Sequence, residues 1–447
     1  MAHAQKAASN VPYIGLNMRG LYTTDSQIKD ASPKTLPVNY YEDSFRLMSQ
    51  AGMDHVRYVF YWEAYEKNPS LFMSEVTTAA KAADKWGIKV IYDNHQFHTS
   101  SWLEPGRGNG FPISLFKNNS TAYPEGGGGA PKYQSAKVWW HDLWNRSIKD
   151  TNGTDAWTRQ ANFLKTIVNA VDKFPSTLGY EILNEPQVHY SDEWQKIGNY
   201  NTFITNELRS LTQKTIFFSQ QIPAGTKDPP ENMAKMAPAN KTNVIFKVSG
   251  GYGVPAPGNY FDKRFTLYLK TAQLMGLPLY IGEWNKQERE QVTDPQHRTT
   301  FEVVHRSQSD INQTEANLIV QRFKEGKVWG MAFWIWNFQK DTRPNFNLIN
   351  ITDTGTIQPT KYFEIVKNAY ANAFGNTINN TNADGNTINN TNADGNTINY
   401  DNIYHRHDYK RHPVKVKVMY RFRDMFSSHI LFAFYQSCTV AVIMTLS

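Results

Sequence analysis

The stretch L-G-Y-E-I-L-N-E-P-Q, Leu178 to Gln187, decides the fold of this chain. Its apolar and β-prone residues run directly into Asn184 and Glu185, and Pro186 follows at once. Proline has no backbone N–H to donate to a neighbouring strand, so it marks the point at which a strand ends. The stretch therefore predicts a buried strand that carries two polar side chains at its carboxyl end.

A second stretch of the same kind lies further along the chain: P-L-Y-I-G-E-W-N, Pro278 to Asn285. Here too an apolar strand ends in a glutamate, Glu283, which Trp284 follows. The carboxyl ends of the strands in a parallel barrel meet at one face, where barrel enzymes keep their catalytic groups. Two carboxylates at the ends of two strands suit cleavage of a glycosidic bond, in which one is the acid and the other the nucleophile.

The rest of the chain alternates apolar runs with longer amphipathic segments, which predicts strand–helix units on a parallel sheet. Besides the two stretches above, the predicted strands are Tyr13–Gly20, His55–Tyr61, Lys89–Asn94, Thr215–Gln220, Asn243–Val248 and Val328–Asn337. Eight such units predict an α/β fold, a (β/α)8 TIM barrel, with a catalytic domain over residues 1–374. A doubly wound sheet is the rival, but no glycine-rich phosphate loop follows the first strand.

The segment Gln96–Asp150 interrupts this alternation and contains a cluster of four tryptophans, Trp102, Trp139, Trp140 and Trp144. Loops of this length inside a compact domain are usually functional or disordered. Because disordered segments contain few aromatic residues, we expect this segment to form an ordered lid or a wall of the cleft. The alternative is a small local core.

The composition changes sharply after Phe374. The sequence G-N-T-I-N-N-T-N-A-D fills residues 375–384 and is repeated at 385–394. One isoleucine per repeat cannot build a hydrophobic core. Residues 375–400 are therefore predicted to form a disordered, Asn-rich linker.

The C-terminal tail, residues 401–447, is basic over His405–Arg423 and largely apolar over Ile430–Leu446. A basic segment ahead of an apolar run is a candidate for membrane contact, because its charges can face anionic lipid. The alternative is a poorly structured extension. At the other end of the chain, residues 1–10 contain no apolar run, so no signal peptide is visible.

The overall composition excludes some classes of function. The formal net charge is +7 without a basic block, which argues against a nucleic-acid partner. Cys438 is the single cysteine, so disulfides within the chain and cysteine metal sites are excluded. His95 and His98 follow a predicted strand rather than sharing a helix face, and we expect no metal there. Aromatic residues make up 14% of the chain, and their rings can stack on sugars or fill cores.

Further candidate residues accompany the other predicted strands. Arg57 is placed at the end of the second strand, where a guanidinium can hold a carboxylate ionised. His95 follows the third strand, with a capped structural histidine as the alternative. Trp334 and Trp336 alternate on the eighth strand and are predicted to share a face. One of these rings can then form the floor of a sugar site while the other packs in the core.

In this combination and order the chain resembles glycoside hydrolase family 5, the cellulase family of retaining β-glycosidases on a TIM barrel. The resemblance spans residues 11–374 and is carried by Arg57, His95, Asn184-Glu185-Pro186, Ile281-Gly282-Glu283-Trp284 and the tryptophans of the eighth strand. It implies that Glu185 is the acid/base and Glu283 the nucleophile.

The resemblance also implies roles for the surrounding residues. Asn184 would bind the 2-hydroxyl of the sugar, Arg57 and His95 would orient the carboxylates, and Trp336 would stack on the sugar. One departure concerns the sixth strand, where the family usually has His-x-Tyr and this chain has Ser249 in place of the histidine. Tyr252 is then the candidate for the missing hydroxyl.

The resemblance implies a retaining β-glycosidase that acts on a β-linked polysaccharide or oligosaccharide, with endo-β-1,4-glucanase activity as the first expectation. Enzymes that cleave mannan, another β-glycan or a glycolipid share these residues and remain alternatives. A carbohydrate-binding barrel without turnover and a purely structural barrel are the non-enzymatic alternatives. We expect a monomer without metal or cofactor, and the family implies an extracellular or cell-surface location.

Overall fold

The computed structural model describes residues 11–24, 37–128, 134–220, 228–286, 290–293, 299–302, 310–338 and 346–375. The predicted linker and the predicted tail therefore lie outside the described residues, apart from Gly375. Within the described ranges, no helix has both the length and the apolar character needed to cross a membrane.

Eight parallel strands among these residues close into a barrel. They are β1 Tyr13–Arg19, β2 His55–Phe60, β3 Lys89–Asn94, β4 Thr177–Glu181, β5 Thr215–Gln220, β6 Val244–Val248, β7 Leu279–Asn285 and β8 Gly330–Phe333. Each strand pairs with the next in chain order, and β8 pairs with both β7 and β1, which closes the barrel. A short strand, Gly251–Tyr252, pairs with the end of β7. The predicted TIM barrel is confirmed.

The helices cover the outside of the barrel. They are α1 Tyr40–Gln50, α2 Trp62–Lys67, α3 Pro69–Lys85, α4 Ser114–Lys117, α5 Gln134–Trp144, α6 Ala156–Val171, α7 Glu193–Arg209, α8 Pro230–Met233, α9 Tyr260–Met275, α10 Gln313–Glu325 and α11 Lys361–Phe374. Their ends follow local signals: the Asn68 side chain accepts a hydrogen bond from the Leu71 N–H and starts α3, and Gly276 ends α9 with a φ of 66°.

Two predicted strands end earlier than expected. The eighth was predicted to reach Asn337, but β8 stops at Phe333. The fourth was predicted to end at Glu185, directly before Pro186, but β4 stops at Glu181. Proline therefore marks the end of the following turn and not of the strand itself. The catalytic candidates after β4 lie on that turn.

Apolar side chains form two separate cores. The larger core lies between the outer face of the barrel and the helices. The smaller core lies inside the barrel, and its members sit in the amino-terminal part of the strands: Tyr13, Ile91, Leu178, Phe217, Ile245, Tyr280 and Ala332. Layers of inward-facing side chains of this kind fill TIM barrels, so the interior is a packed core. The charged residues described below lie on the opposite side of this layer.

The tryptophan-rich segment is ordered in its described part. Trp139, Trp140 and Trp144 on α5 are fully buried and belong to the larger core. The indole N–H of Trp140 donates to Thr99 Oγ1 at 2.9 Å, and that of Trp144 donates to the Gln187 carbonyl at 2.9 Å. These bonds hold the loops that follow β3 and β4. The segment therefore packs as a core that supports two loops of the site.

Candidate active site

The charged side chains inside the barrel gather at the carboxyl-terminal end of the strands. They come from different strands, and each is 4% exposed or less: Arg57, Asp93, Glu181, Lys247 and Glu283. Charged residues are almost never buried to this extent unless they are paired. Their pairing defines the site.

Arg57 is the centre of this network. It lies in the middle of β2, not at its end, and its long side chain reaches up the barrel. Its Nε and Nη2 form a two-pronged contact with Glu181 at 2.7 and 3.0 Å. Its Nη2 lies 2.8 Å from Asp93 Oδ2, and its Nη1 lies 3.1 Å from Glu283 Oε1. One guanidinium therefore holds three carboxylates in place.

Glu283, on β7, is held by hydrogen bonds on both carboxylate oxygens. Oε2 accepts from the Tyr252 hydroxyl at 2.7 Å, and Oε1 accepts from Arg57 at 3.1 Å and from Ser249 Oγ at 3.3 Å. Burial raises the pKa of Glu283, but the nearby charges of Lys247 and Arg57 outweigh it and leave this pKa below its ordinary value. Glu283 is therefore ionised at neutral pH, as a nucleophile requires.

Glu185 lies on the turn after β4, and its side chain is half-buried. Its φ of 46° is in the left-handed region, which costs a non-glycine residue about 1–3 kcal/mol. Two neighbours hold this backbone: its N–H donates to Ser219 Oγ at 3.2 Å, and its carbonyl accepts from Gln96 Nε2 at 2.8 Å. Strain of this kind persists only where the surroundings enforce it, so the position of Glu185 is set by the loops around it.

Asn184 has a fixed amide orientation. Its Oδ1 accepts from Arg57 Nη2 at 2.8 Å and from Lys247 Nζ at 2.5 Å. Its Nδ2 donates to the Gln96 carbonyl at 3.1 Å and lies 3.4 Å from His95 Nε2. Because both cations can only donate, the amide oxygen must face them and the NH2 group must face the opposite side.

His95 follows β3 directly. Its Nδ1 lies 2.8 Å from Asp93 Oδ2. Burial, with the charge of Arg57 in second place, lowers the pKa of His95 well below its ordinary value, so the imidazole is neutral. Burial raises the pKa of Asp93, and Arg57 acts against this effect. The imidazole ring is also stacked against Trp334, with ring centroids 5.5 Å apart and planes 17° from parallel.

The two tryptophans after β8 do not share a face. Trp334 is half-buried beside His95, whereas Trp336 is fully buried. The Trp336 indole donates to Ser44 Oγ at 3.0 Å and packs edge-on against Phe363. This contradicts the stacking role implied for Trp336, because its ring presents no face to a substrate. The alternation applies only within a strand, and β8 ends before both residues.

Several residues of the site escaped the sequence analysis. They are Asp93, Glu181, Lys247, the loop residue Gln96 and Asn17 on β1, whose Oδ1 accepts from Arg57 Nη1 at 2.9 Å. A signal was present for Lys247, which is a lone charge in the apolar run V-I-F-K-V. Such a charge in a buried strand indicates an ion pair, but its partners belong to other strands and cannot be read from the run itself.

A closed parallel barrel with one buried glutamate, Glu283, and one half-buried glutamate, Glu185, at its carboxyl-terminal face is an arrangement that glycoside hydrolases use. The family model "Cellulase (glycosyl hydrolase family 5)" matches residues 17–340, and the chain belongs to this family. No curated protein matches the chain.

Two solved structures show a similar fold. The crystal structure of an endogalactoceramidase is 18% identical, with 81% of each chain covered and a TM-score of 0.58. Endo-glycoceramidase II from Rhodococcus sp., solved as its lactosyl-enzyme intermediate, is 15% identical, with 73% of each chain covered and a TM-score of 0.53. At these identities the likeness concerns the fold.

Proposed function

We propose that this retaining glycoside hydrolase is an endo-acting β-1,4-glucanase with Glu283 as its nucleophile. The observation that carries the proposal is the environment of Glu283, a buried carboxylate that Arg57 and Tyr252 hold in one orientation. The description of its family as cellulase supports a glucan as the substrate.

In the first step Glu283 attacks the anomeric carbon while Glu185 gives its proton to the leaving oxygen. Glu185 then removes a proton from the water that frees the sugar. Formation of the covalent intermediate removes the charge of Glu283. This favours ionisation of Glu185, which then acts as a base. The NH2 group of Asn184 has two N–H bonds. One stays on the Gln96 carbonyl, and the other, at the long distance of 3.4 Å from His95 Nε2, is the donor to the 2-hydroxyl of the bound sugar.

Exposed aromatic rings on the loops around the site support an extended substrate. Phe97 is 42% exposed and lies two residues after His95, and Tyr190 is 45% exposed on the loop after Glu185. Trp334 is partly exposed beside His95. Rings of this kind stack on sugar faces, and several of them along a cleft suit a chain of sugars better than a single one. In this proposal Trp334 takes the role first assigned to Trp336.

The second candidate is hydrolysis of a glycolipid by the same two steps. It is favoured by the two structures of similar fold, which are named for glycosidases that act on ceramide glycosides. The catalytic groups of the two candidates are the same, so the sugar-releasing chemistry does not distinguish them.

A substrate panel with detection of new reducing ends tests the proposal. We expect a soluble β-1,4-glucan to be cleaved faster than β-mannan, xylan or a lactosyl lipid, and Glu283→Gln serves as the inactive control. Faster cleavage of the lactosyl lipid would replace the first candidate with the second. Turnover of none of them, with sugar binding retained, would indicate a carbohydrate-binding barrel.

A further inference from the structure

Lys247 is a fully buried lysine that the mechanism above does not use. It lies in the middle of β6, and its Nζ is bonded on several sides. It forms an ion pair with Glu181 at 3.1 Å and donates to Asn184 Oδ1 and to Ser249 Oγ, each at 2.5 Å. Glu283 Oε1 lies 4.0 Å away. One ammonium group thus contacts both Asn184 and Glu283. These are the two residues whose orientation matters for the proposed reaction.

The barrel has space for this side chain because residue 282 is a glycine. A Cβ added to Gly282 would lie 2.2 Å from Lys247 Cε and 2.9 Å from its Cγ. The lysine stem therefore runs through the space that a side chain at position 282 would fill, directly before Glu283. A side chain at position 282 is therefore incompatible with the observed path of the lysine stem.

Ser249 connects Lys247 to Glu283. Because Lys247 Nζ can only donate, Ser249 Oγ must accept from it, and the hydroxyl hydrogen is then directed to another acceptor. Glu283 Oε1 lies 3.3 Å from Ser249 Oγ and Asn184 Oδ1 lies 3.4 Å from it. Asn184 Oδ1 already accepts from Arg57 and Lys247, so the carboxylate of Glu283 is the better acceptor for this hydrogen. The chain of donors runs from Lys247 through Ser249 to Glu283. Ser249 stands where the family usually has a histidine, so this chain reaches the carboxylate by other groups.

Polar groups from several of the elements around Glu283 face it. They are Arg57 on β2, His95 after β3, Lys247 on β6, and Ser249 and Tyr252 after β6. Two of them bring a full positive charge, and both also hold the carboxylate of Glu181. Loss of Lys247 would leave Arg57, among the residues that the structure describes, as the one cation facing the buried carboxylates of Asp93, Glu181 and Glu283, since His95 is neutral.

We propose that Lys247 is a positioning residue that fixes the amide of Asn184 and, through Ser249, the carboxylate of Glu283; this inference rests on the proposed function. Asn184 then presents its NH2 group to the 2-hydroxyl of the sugar. Glu283 stays ionised and keeps one orientation. The depressed pKa of Glu283, to which the charge of Lys247 contributes, agrees with this assignment.

The test uses Lys247→Met in the full chain, with an aryl β-glucoside and its 2-deoxy counterpart as substrates. Methionine keeps a similar length and removes the charge. We expect kcat on the parent glucoside to fall by about 100-fold with little change in KM. The loss on the 2-deoxy glucoside should be much smaller, because it has no 2-hydroxyl for Asn184 to bind. The acid limb of the pH profile, where activity falls as Glu283 becomes protonated, should move to higher pH by about 1–3 pH units.

The matched control is Lys214→Met. Lys214 directly precedes β5, at the opposite end of the barrel. Its Nζ donates to the backbone carbonyls of Phe174 and Thr177 at 2.8 and 2.9 Å. Its replacement removes a half-buried lysine and two hydrogen bonds without touching the site. We expect a lower melting temperature and an unchanged acid limb. Ser249→Ala is a second test variant, which keeps the ion pair with Glu181 and should shift the acid limb by a smaller amount.

An equal loss of kcat on both glucosides with an unmoved acid limb would show that Lys247 acts on stability alone, and would overturn the proposal. If the wild type turns over no β-glycoside, the proposed function fails by itself. The titration of the Glu283 carboxyl, followed by NMR with 13C-labelled glutamate and assigned with Glu283→Gln, then decides the role of Lys247. The pKa must be higher in Lys247→Met, or in Ser249→Ala if the first variant does not fold, and equal values overturn the assignment.

Discussion

The two ends of the barrel interior are filled with opposite kinds of side chain, although the same strands supply both. At the amino-terminal end, rings from Tyr13, Phe217, Tyr280 and Trp329 pack against one another with centroids 4.6 to 5.7 Å apart. At the carboxyl-terminal end, Arg57 and Lys247 face buried carboxylates. Burial of the rings stabilises the fold. Burial of the charges has a desolvation free energy that ion pairing only partly offsets.

The polar groups of the two ends also behave differently. At the amino-terminal end His55 Nε2 and the Tyr280 hydroxyl share a hydrogen bond of 2.9 Å, and burial raises the pKa of Tyr280 well above its ordinary value. At the other end the bonds join full charges. One end of this barrel therefore stabilises the fold, and we expect the other end to bind and cleave the substrate.

The largest effect is expected from Glu283→Ala. Without the nucleophile the covalent intermediate cannot form, and we expect kcat to fall by about 10⁵–10⁶-fold on every substrate. Steady-state turnover measures the loss, and thermal unfolding should show a lower melting temperature, because Lys247 and Arg57 stabilise the charge of Glu283 and its removal leaves these buried cations short of a partner. Near wild-type turnover would exclude Glu283 as the nucleophile.

Glu185→Ala should cost about 10²–10⁴-fold on a natural glycoside, because the leaving oxygen loses its proton donor. On an aryl glycoside with a good leaving group, formation of the intermediate should be nearly unaffected. Added azide should then restore turnover and give a glycosyl azide of retained configuration, seen by proton NMR. An azide product of inverted configuration would contradict the two-step reaction.

Phe217→Ala tests the other end of the barrel. Its ring is fully buried among Tyr280 and Trp329, and its removal should lower the free energy of unfolding by about 3–5 kcal/mol. Urea unfolding measures this loss. At a temperature where the variant is folded, its pH profile should match that of the wild type. A displaced acid limb would show that the two ends are not independent.

The stability that the charged end contributes should depend on pH. Burial raises the pKa of Glu181, but Arg57 and Lys247 outweigh it and lower the pKa from 4.5 to about 2. A lowered carboxylate pKa stabilises the fold above the unfolded value, and this stabilisation is lost as the pH falls from 4.5 towards 2. The stabilisation that is lost over this pH range amounts to about 3 kcal/mol. Urea unfolding of the wild type and of Glu181→Gln from pH 6 to pH 2.5 measures it, and a constant difference would contradict it.

The smallest effect is expected from removal of residues 376–447. The barrel is closed by β8, and α11 covers it before that point. We expect the melting temperature and kcat/KM to stay within the error of the measurement. A large loss of either would show that the repeat or the tail contributes to one end of the barrel. Fractionation of cells that express the full chain, with the truncated chain as control, tests membrane contact.

Much of the fold could be predicted because its signals are local. Apolar runs that end in polar residues identified most of the barrel strands within a residue or two of their observed ends. The prediction failed where a strand continues into an extended turn, as at Trp334 and Trp336. A pattern of alternation does not record where the hydrogen bonds to the next strand stop, since those bonds are made by residues far away in the chain.

The order of the strands and the choice of Glu185 and Glu283 as candidates could be read from local signals, because period and turn residues act over a few neighbouring positions. The groups that surround them depend on how the chain folds. Arg57 and Glu283 are 226 positions apart in the chain, and their contact exists because the barrel closes. The place of Lys247 between Asn184 and Ser249 has the same origin. A buried charge is satisfied by whichever groups the fold brings within a few ångströms, and those distances are properties of the folded chain alone.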